Sequence, residues 1–583
     1  MNKGGSFLLE PVVGTIFTRE RFTDEQREID RMARDFARER LAPQKEALAV
    51  LNKELTLQLM HEAGELGMTA IDIPEKYGGL ELDKTTSALV GEALTTGGTA
   101  SWVVTFSCHV GIGTLPITYF GNEQQKAKYL PKLASAEYLS AYALTEPGAG
   151  SDAMNQKATA VPTPDGAAFI LNGDKQYITN GAWADLFIVF ARLQDAGVTA
   201  FIVERDSKGL SVGAEEKKMG IKGSSTVNLF LNDVRVPREN LLGTPGKGLN
   251  IALNILNVGR FKLGAADLGG CKNCVNQATR HALDRRQFGQ PIAFFDAIRK
   301  KLADMTVRTF MLDSAIYRTV GMMDERVAGF DHQAPDYNDK VMAALEEYAI
   351  EASIAKILGS ESLFRISDHG IQIYGGFGFS EEYPMAATFR DTRIDRIFEG
   401  TNEINRMVIY GYYLKKALME ELPLRDAEPG WDAPATPHDG PLAWEIGALE
   451  TARRLAVKCL FEAISRYGQE LRNEQVVGED LADLIISYYA ASSAVNRLLQ
   501  LGDEALKERA CRALGRLVAA TALEEVWRLY FRLRPVLFGA GYGGRFTEGF
   551  ESQLRKLHLP FDPVNEVRVL TDDLYHHGRY RFE

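Results

Sequence analysis

The segment Arg393-Ile394-Asp395-Arg396-Ile397-Phe398-Glu399-Gly400-Thr401-Asn402-Glu403 sets one carboxylate, Glu399, directly after two apolar residues and before a glycine and a helix start. A carboxylate in apolar surroundings loses hydration of its charged form, so its pKa rises and it can accept a proton near neutral pH. The same pattern also fits a solvated glutamate ahead of a helix cap. Three other segments hold residues that could do chemistry. Tyr142-Ala143-Leu144-Thr145-Glu146-Pro147-Gly148-Ala149-Gly150-Ser151-Asp152 reads as a strand entering a Gly/Ser loop, which could bring backbone N–H groups to a phosphate or flat ring, or be an ordinary turn. Tyr177-Ile178-Thr179-Asn180-Gly181 puts an aromatic ring and a hydroxyl at a strand end, suited to shielding a cofactor ring or simply to ending the strand. Arg285-Arg286-Gln287-Phe288-Gly289 offers two cations after a helix, a pyrophosphate clamp or plain capping charge against the helix dipole.

Other chemistries fall away. Cys271 and Cys274 form a lone Cys-x-x-Cys, and Cys108, Cys459 and Cys511 lie too far apart in sequence to complete a zinc site. Five cysteines in 583 residues are too few for a disulfide framework, which points to a reducing compartment. A net charge of −11 leaves no electrostatic footprint for nucleic acid. The start Met1-Asn2-Lys3-Gly4-Gly5-Ser6 has no secretory or transit pattern, so a cytoplasmic location is expected. The uncharged run Ala93 to Asn122 is long enough to span a bilayer, but its glycines, threonines and Pro116 read as a buried helix and turn.

The elements that must position these residues follow from periodicity. Ile29, Met32 and Phe36 recur at helical spacing behind the capping residues Thr23-Asp24-Glu25-Gln26, opening a helical domain over 1–139. A β domain is expected over 140–243, with Asn172-Gly173 read as a hairpin turn between Phe169-Ile170-Leu171 and Gln176-Tyr177-Ile178. A helical bundle spans 244–420, with stripes such as Ile298, Leu302, Met305 and Thr309. Five of the 21 prolines fall between Pro423 and Pro441, so 421–441 reads as a linker. A helical annex occupies 442–583, with helices at Leu442–Ile464, Leu481–Leu499 and Ala510–Leu533. The fold class is α+β, mostly α. No strand–helix alternation with a Gly-rich first turn suggests a dinucleotide-binding unit.

In this order the segments resemble the acyl-CoA dehydrogenase family. The resemblance rests on the Leu144–Asp152, Tyr177–Gly181, Arg285–Gly289 and Phe398–Glu403 segments together with Gln372-Ile373-Tyr374-Gly375-Gly376. It is closest to the very-long-chain branch through Glu216-Lys217-Lys218-Met219-Gly220-Ile221-Lys222, Phe294–Ala303 and the annex. It implies an N-terminal helical domain, a central β domain and a four-helix bundle, with FAD between the last two. Glu399 would be the base that takes the α-proton of an acyl-CoA while a hydride leaves the β-carbon for flavin N5, giving a trans-2-enoyl-CoA. The thioester oxygen would meet the backbone N–H of Glu399 and a ribityl hydroxyl of FAD. Ser151, Arg260, Gly400, Val104 and Cys108 are implied substrate contacts. Tyr142, Leu144, Thr145, Gly150, Ser151, Tyr177, Thr179, Arg285, Gln287, Phe288, Gln372, Gly376, Thr401 and Glu403 are implied cofactor contacts. Arg285 and Phe288 would reach the FAD of a second subunit, hence a homodimer.

Two departures stand out: Tyr177 replaces the usual flavin-shielding tryptophan, and Asp296 stands where many members carry glutamine, which puts a subunit-crossing contact in doubt. The resemblance further implies electron-transfer flavoprotein as acceptor and a place in fatty-acid β-oxidation. Thr99 to Pro116 would line the far end of the acyl pocket, where apolar Val104 and Cys108, with Gly111 and Gly113 adding no bulk, imply a medium-to-long chain optimum, about C12–C18 at roughly 0.8 kcal/mol per buried methylene. Alternatives on the same fold are an acyl-CoA oxidase using O2, a nitroalkane oxidase, and an assembly or scaffold protein without activity. The annex is expected to pack on the bundle and to take part in the dimer. Peripheral membrane contact is a further expectation, although the annex has no Lys/Arg block to anchor it.

Overall fold

The computed structural model describes residues 3–424, 439–539, 552 and 558–583. Single-turn helices aside, the chain opens with α1 (Asp24–Phe36), α2 (Lys53–Glu65), α3 (Lys84–Thr95), α4 (Ala100–Cys108), α5 (Leu115–Phe120) and α6 (Glu123–Ala134). Their starts are chemically marked. Thr23 and Gln26 make a reciprocal capping box on α1, Asp83 accepts from Thr86 N on α3, and Asn122 and Gln125 repeat the box on α6. The uncharged run is α4, a π-helical turn His109–Gly113 and α5. Its stretch Ala100–Phe120 is apolar enough to cross a membrane by composition, yet 72% of that window is buried inside the protein.

Eight strands follow: β1 (Ser140–Ala143), β2 (Thr159–Pro162), β3 (Ala168–Thr179), β4 (Leu186–Leu193), β5 (Gly197–Glu204), β6 (Leu210–Val212), β7 (Thr226–Pro237) and β8 (Leu241–Leu242). They form one sheet in the order β6-β7-β3-β2-β4-β5-β8, with β1 parallel to β4. The expected hairpin at Asn172-Gly173 is a correction: β3 runs straight through, and the pair lies beside a register shift between Leu171 and Gly173. Gly173 sits at φ 140, where a Cβ would lie 2.8 Å from Ala158, so the glycine serves a bulge and a close approach rather than a turn. In β4 the residues Leu186, Ile188 and Phe190 share a core with Ile251, Ala252 and Ile255 of the following helix, while Phe187, Val189 and Ala191 face the β domain's own core. That double burial clamps the sheet onto the bundle.

The bundle consists of α7 (Gly248–Asp284), a hairpin of β9 (Arg286–Gln287) and β10 (Gln290–Pro291), then α8 (Asp296–Val327), α9 (Tyr337–Glu347), α10 (Ala349–Tyr374), α11 (Pro384–Asp391) and α12 (Asn402–Leu418). The annex is α13 (Ala443–Tyr467), α14 (Gln475–Gln500), α15 (Arg509–Leu537) and α16 (Pro563–His577). Of the expected Pro-rich linker, residues 425–438, with Pro429, Pro434 and Pro437, lie outside the described residues.

Two features lock annex to bundle, and neither was read from the sequence. Residues ahead of α1 run between the two: Phe7 packs on Tyr489 at 4.6 Å between ring centroids, Gly5 N donates to Glu351, and Asn496 donates to Val12 O. A buried charge network joins five parts of the chain. Arg19 pairs with Glu92 and Asp313 at 2.8 and 3.0 Å, Lys272 with the same two carboxylates at 2.8 and 3.0 Å, and Arg497 of α14 with Asp313 at 3.3 Å. Each buried carboxylate is compensated more than once, which is the condition for tolerating such charges in a core.

Asp296 also finds its partner here. It pairs with Arg568 of α16, and Arg299 one turn on pairs with Asp572 at 2.7 Å. The acid at this position therefore faces its own chain's annex.

Candidate active site

A 3-10 turn, Thr392–Arg396, leads from α11 toward Glu399. Glu399 and Gly400 are both left-handed, at φ 57 and 82. Holding a glutamate there costs on the order of 1–3 kcal/mol and persists only where surroundings impose it. The surroundings are visible: Gly400 O accepts from Lys356 Nζ and Asn405 Nδ2, both at 2.8 Å, and Thr401 Oγ1 caps α12 by accepting from Ile404 N at 3.3 Å. Lys356 also donates to Asn402 Oδ1 at 2.6 Å, and Asn402 Nδ2 donates to Ser360 at 3.1 Å and Glu361 at 3.0 Å. Among the described residues, the backbone N–H of Glu399 donates to no group.

The turn throws the Glu399 carboxylate against α7. A Cβ added to Gly259 would lie 2.5 Å from Glu399 Oε2, so only glycine leaves room for the acid there. Next along the helix, Arg260 is buried and donates from Nη1 to Asn257 Oδ1 at 2.8 Å. Glu399 Oε2 and Arg260 Nε are both buried and have no hydrogen-bond partner among the described residues. Burial pushes Glu399 up to about 7 against the pull of Arg260 and Lys356. Burial likewise lowers Arg260 to about 10, with Glu399 opposing. A half-ionised carboxylate at neutral pH is the condition of an effective general base. Tyr142 and the Cys108 thiol are raised mainly by burial and further by the Glu399 charge, so both share its surroundings.

On the β side, the loop after β1 is anchored at Glu146. Its carboxylate accepts from Lys175 Nζ at 2.7 Å, Lys157 N at 2.6 Å and Ala158 N at 3.1 Å. Lys175 is fully buried and also reaches Leu144 O. Gln176 N donates to Thr145 O at 2.9 Å, tying the loop to β3 next to Tyr177. With its base fixed, the loop turns an open edge outward: nothing lies within 4 Å of a Cβ at Gly148 or Gly150, and Ser151 is exposed. Tyr177 is 58% exposed at φ 58, beside a second register shift in β3, so the ring leaves the sheet instead of packing under it. Thr179 ends the strand, its carbonyl 3.8 Å from Cys108 Sγ. Asn180 fixes that end to α4 by donating to Thr105 O at 3.0 Å.

Val104 is half-buried and Cys108 buried on α4, where the expected wall of the acyl pocket would run. Gly113 is not part of that wall: a Cβ there would meet Ser140 Oγ at 2.3 Å, so it serves packing against β1. Gly111 has Lys262 as its neighbour at 3.9 Å, and Lys262 pairs with buried Asp72 at 2.6 Å, so an ion pair stands beyond the uncharged run.

The remaining predicted residues form a second group. Phe288 is 93% exposed at the hairpin tip, Gln287 is exposed, and Arg285 stacks over Phe377 at 5.3 Å, beside Gly376 and the end of α10 that carries Gln372. Arg285 lies 26 residues along α7 from Gly259, roughly 39 Å at 1.5 Å per residue. The two groups are thus well separated within one chain. Glu403 is exposed in the first turn of α12. All five cysteines are free and buried, and no metal-binding cluster occurs among the described residues. Sequence reading missed Lys356, Asn405 and Lys175. Lys356 and Ser360 did leave a signal, a polar pair at i,i+4 inside the apolar run of α10.

Three family profiles match in chain order: acyl-CoA dehydrogenase N-terminal domain over residues 23–137, middle domain over 141–234 and C-terminal domain over 246–412. The chain belongs to the acyl-CoA dehydrogenase family. A probable acyl-CoA dehydrogenase of Bacillus subtilis (strain 168) is 44% identical over 504 residues, 85% of this chain and 84% of that protein. The human mitochondrial very long-chain specific acyl-CoA dehydrogenase is 40% identical over 376 residues, 63% of this chain and 54% of that enzyme. The crystal structure of an acyl-CoA dehydrogenase complexed with FAD from Bacillus anthracis superposes with a TM-score of 0.95 at 41% identity, over the whole of both chains. The annex is therefore shared with that acyl-CoA dehydrogenase, although the family profiles end before it.

Proposed function

We propose that this protein is an FAD-dependent dehydrogenase of acyl-CoA thioesters, with Glu399 as the base. One observation carries the reading: a buried carboxylate oxygen without a partner, held against Gly259 and beside Arg260, on a strained turn whose carbonyl is pinned by Lys356 and Asn405. Glu399 removes the α-proton of the thioester. Its free N–H, fixed by the same turn, donates to the thioester oxygen where enolate charge develops. Arg260 holds the carboxylate's charge in check and keeps the base near neutral pKa.

The open edge of the Leu144–Ser151 loop and the exposed ring of Tyr177 fit a flat flavin. Tyr142, Leu144, Thr145, Gly150, Ser151, Tyr177, Thr179, Thr401 and Glu403 would hold it. When bound, FAD supplies the acceptor for the hydride that leaves the β-carbon. Arg285 at the end of α7, with Gln287 and Phe288 on the hairpin after it and Gln372 and Gly376 beside it at the end of α10, forms a group far from the same chain's Glu399, which supports its reaching a second subunit in a homodimer. Apolar Val104 and Cys108 support a medium-to-long acyl chain, and electron-transfer flavoprotein is the proposed acceptor in fatty-acid β-oxidation.

The test is an absorption spectrum of the purified protein, anaerobic addition of palmitoyl-CoA, and re-oxidation. Flavin bleaching followed by re-oxidation with electron-transfer flavoprotein is expected. Faster re-oxidation by oxygen would make the protein an oxidase instead, and no bleaching with any acyl-CoA would leave only a scaffold role.

A further inference from the structure

The two walls of the proposed flavin site come from different parts of the β domain, the Leu144–Ser151 loop after β1 and the Tyr177–Thr179 end of β3, and one buried cation ties them together. The Nζ of Lys175 on β3 donates to Glu146 Oε1 at 2.7 Å, to Gln156 Oε1 at 3.1 Å and to Leu144 O at 3.3 Å. Leu144 opens the loop and Gln156 follows its end, so these bonds close the loop from both sides. Glu146 also accepts from Lys157 N and Ala158 N, and Glu146 N and Ala149 N each donate to the other residue's carbonyl at 3.1 Å. The same lysine stands at the foot of the second wall. Gln176 N, next along the strand, donates to Thr145 O at 2.9 Å. The register of β3 against β7 then shifts between Lys175 and Ile178, and Tyr177 lies inside that shift with its ring exposed.

A fully buried lysine is costly, and a buried ion pair is often no more stabilising than apolar residues of the same volume. Stability alone therefore gives no reason for this pair. What apolar residues could not do is hold a carbonyl, a carboxylate and an amide of the loop at hydrogen-bond distance from one point of β3.

We propose that Lys175, with Glu146, is a positioning pair for the cofactor: it fixes the spacing between the two walls, so that the cleft for the flat ring system is formed before FAD enters. The inference rests on the reading of these segments as the flavin site. Lys175 is 0% exposed and acts through the loop and not on the ring. A free Gly/Ser loop would have to be ordered by the cofactor, and that ordering would subtract from affinity; a loop already tied at both ends avoids it.

The test replaces the pair together, Lys175→Met with Glu146→Gln, which strands no charge and keeps a side-chain acceptor for the N–H groups of Lys157 and Ala158. FAD affinity is measured by equilibrium dialysis of the holoenzyme, and the thermal midpoint is taken with and without FAD. The double variant is expected to bind FAD at least about tenfold more weakly, while its FAD-free midpoint stays within about 3 °C of wild type. A smaller loss of affinity overturns the proposal. So does a larger fall in the FAD-free midpoint, which would give the pair a role in the fold instead. Should the double variant not fold, hydrogen exchange of wild type stripped of FAD decides: the N–H groups of Glu146, Ala149, Lys157, Ala158 and Gln176 must remain protected, and their free exchange would refute a cleft formed in advance. Tyr177→Ala separates the inference from the reading beneath it. If Tyr177→Ala weakens FAD binding and the double variant does not, the positioning role alone fails; if neither does, the flavin site is misplaced and the proposal falls with it.

Discussion

Gly259→Ala isolates the placement of the base from everything else in the site. The added Cβ would lie 2.5 Å from Glu399 Oε2, 2.9 Å from its Cδ and 3.3 Å from Oε1, against 3.4 Å for ordinary contact. The carboxylate must therefore retreat by about 0.9 Å, the difference between 3.4 and 2.5 Å. It is the free end of a flexible side chain, so the retreat costs the fold little. Alanine inside a helix should even add about 0.5–1 kcal/mol relative to glycine. Catalysis has no such tolerance. A displacement near 1 Å typically lowers a positioned reaction about 100-fold, or roughly 2.7 kcal/mol of barrier. The assay is stopped-flow flavin reduction by palmitoyl-CoA, with bound FAD and thermal midpoint measured in parallel. The expected variant binds FAD, melts no lower than wild type and reduces its flavin about 100-fold more slowly. Reduction at wild-type rate would show that the carboxylate does not work from its position against α7.

Further outcomes follow from the same geometry. Glu399 lies at about 7, raised from the ordinary value, and works deprotonated, so flavin reduction should climb roughly tenfold between pH 6 and 8; a flat profile there would contradict a buried base. Cys108→Glu should shorten the preferred acyl chain with little effect on butyryl-CoA, read from rates across chain lengths; an unchanged optimum would move α4 out of the pocket wall. A chain ending at Met419 loses Arg497 from Asp313, Asn496 from Val12 O and Tyr489 from Phe7, so it uncovers apolar surface that the annex buries and should aggregate or change its oligomeric state on size exclusion. A soluble, active dimer of that length would show the annex to be dispensable.

What could be read from the sequence was whatever local chemistry decides. The helix starts at Thr23 and Asn122 carry their own caps, and the annex helices follow their apolar period. Two apolar neighbours and a following glycine left Glu399 open between a buried base and a solvated glutamate, and only the family resemblance of the surrounding segments singled it out. Asn172-Gly173 misled because the dipeptide satisfies a hairpin turn and a bulge equally; passage of Ala158 beside Gly173 decides between them, and that is a long-range fact. The same holds for Lys356, Lys175 and the Arg19–Glu92–Lys272–Asp313–Arg497 network, whose partners lie far apart along the chain. The residues ahead of α1 gave no period at all. Their order comes from a groove that exists only once bundle and annex have met.

The central claim is that Glu399 takes the α-proton, and Glu399→Gln tests it most directly, since the amide keeps the shape and cannot accept a proton. Wild type and variant, both loaded with FAD, are mixed anaerobically with palmitoyl-CoA and followed at the flavin band. The variant is expected to have normal FAD content and an initial spectrum like wild type, with bleaching slowed about 10³-fold or more. Bleaching of Glu399→Gln at the wild-type rate would contradict it.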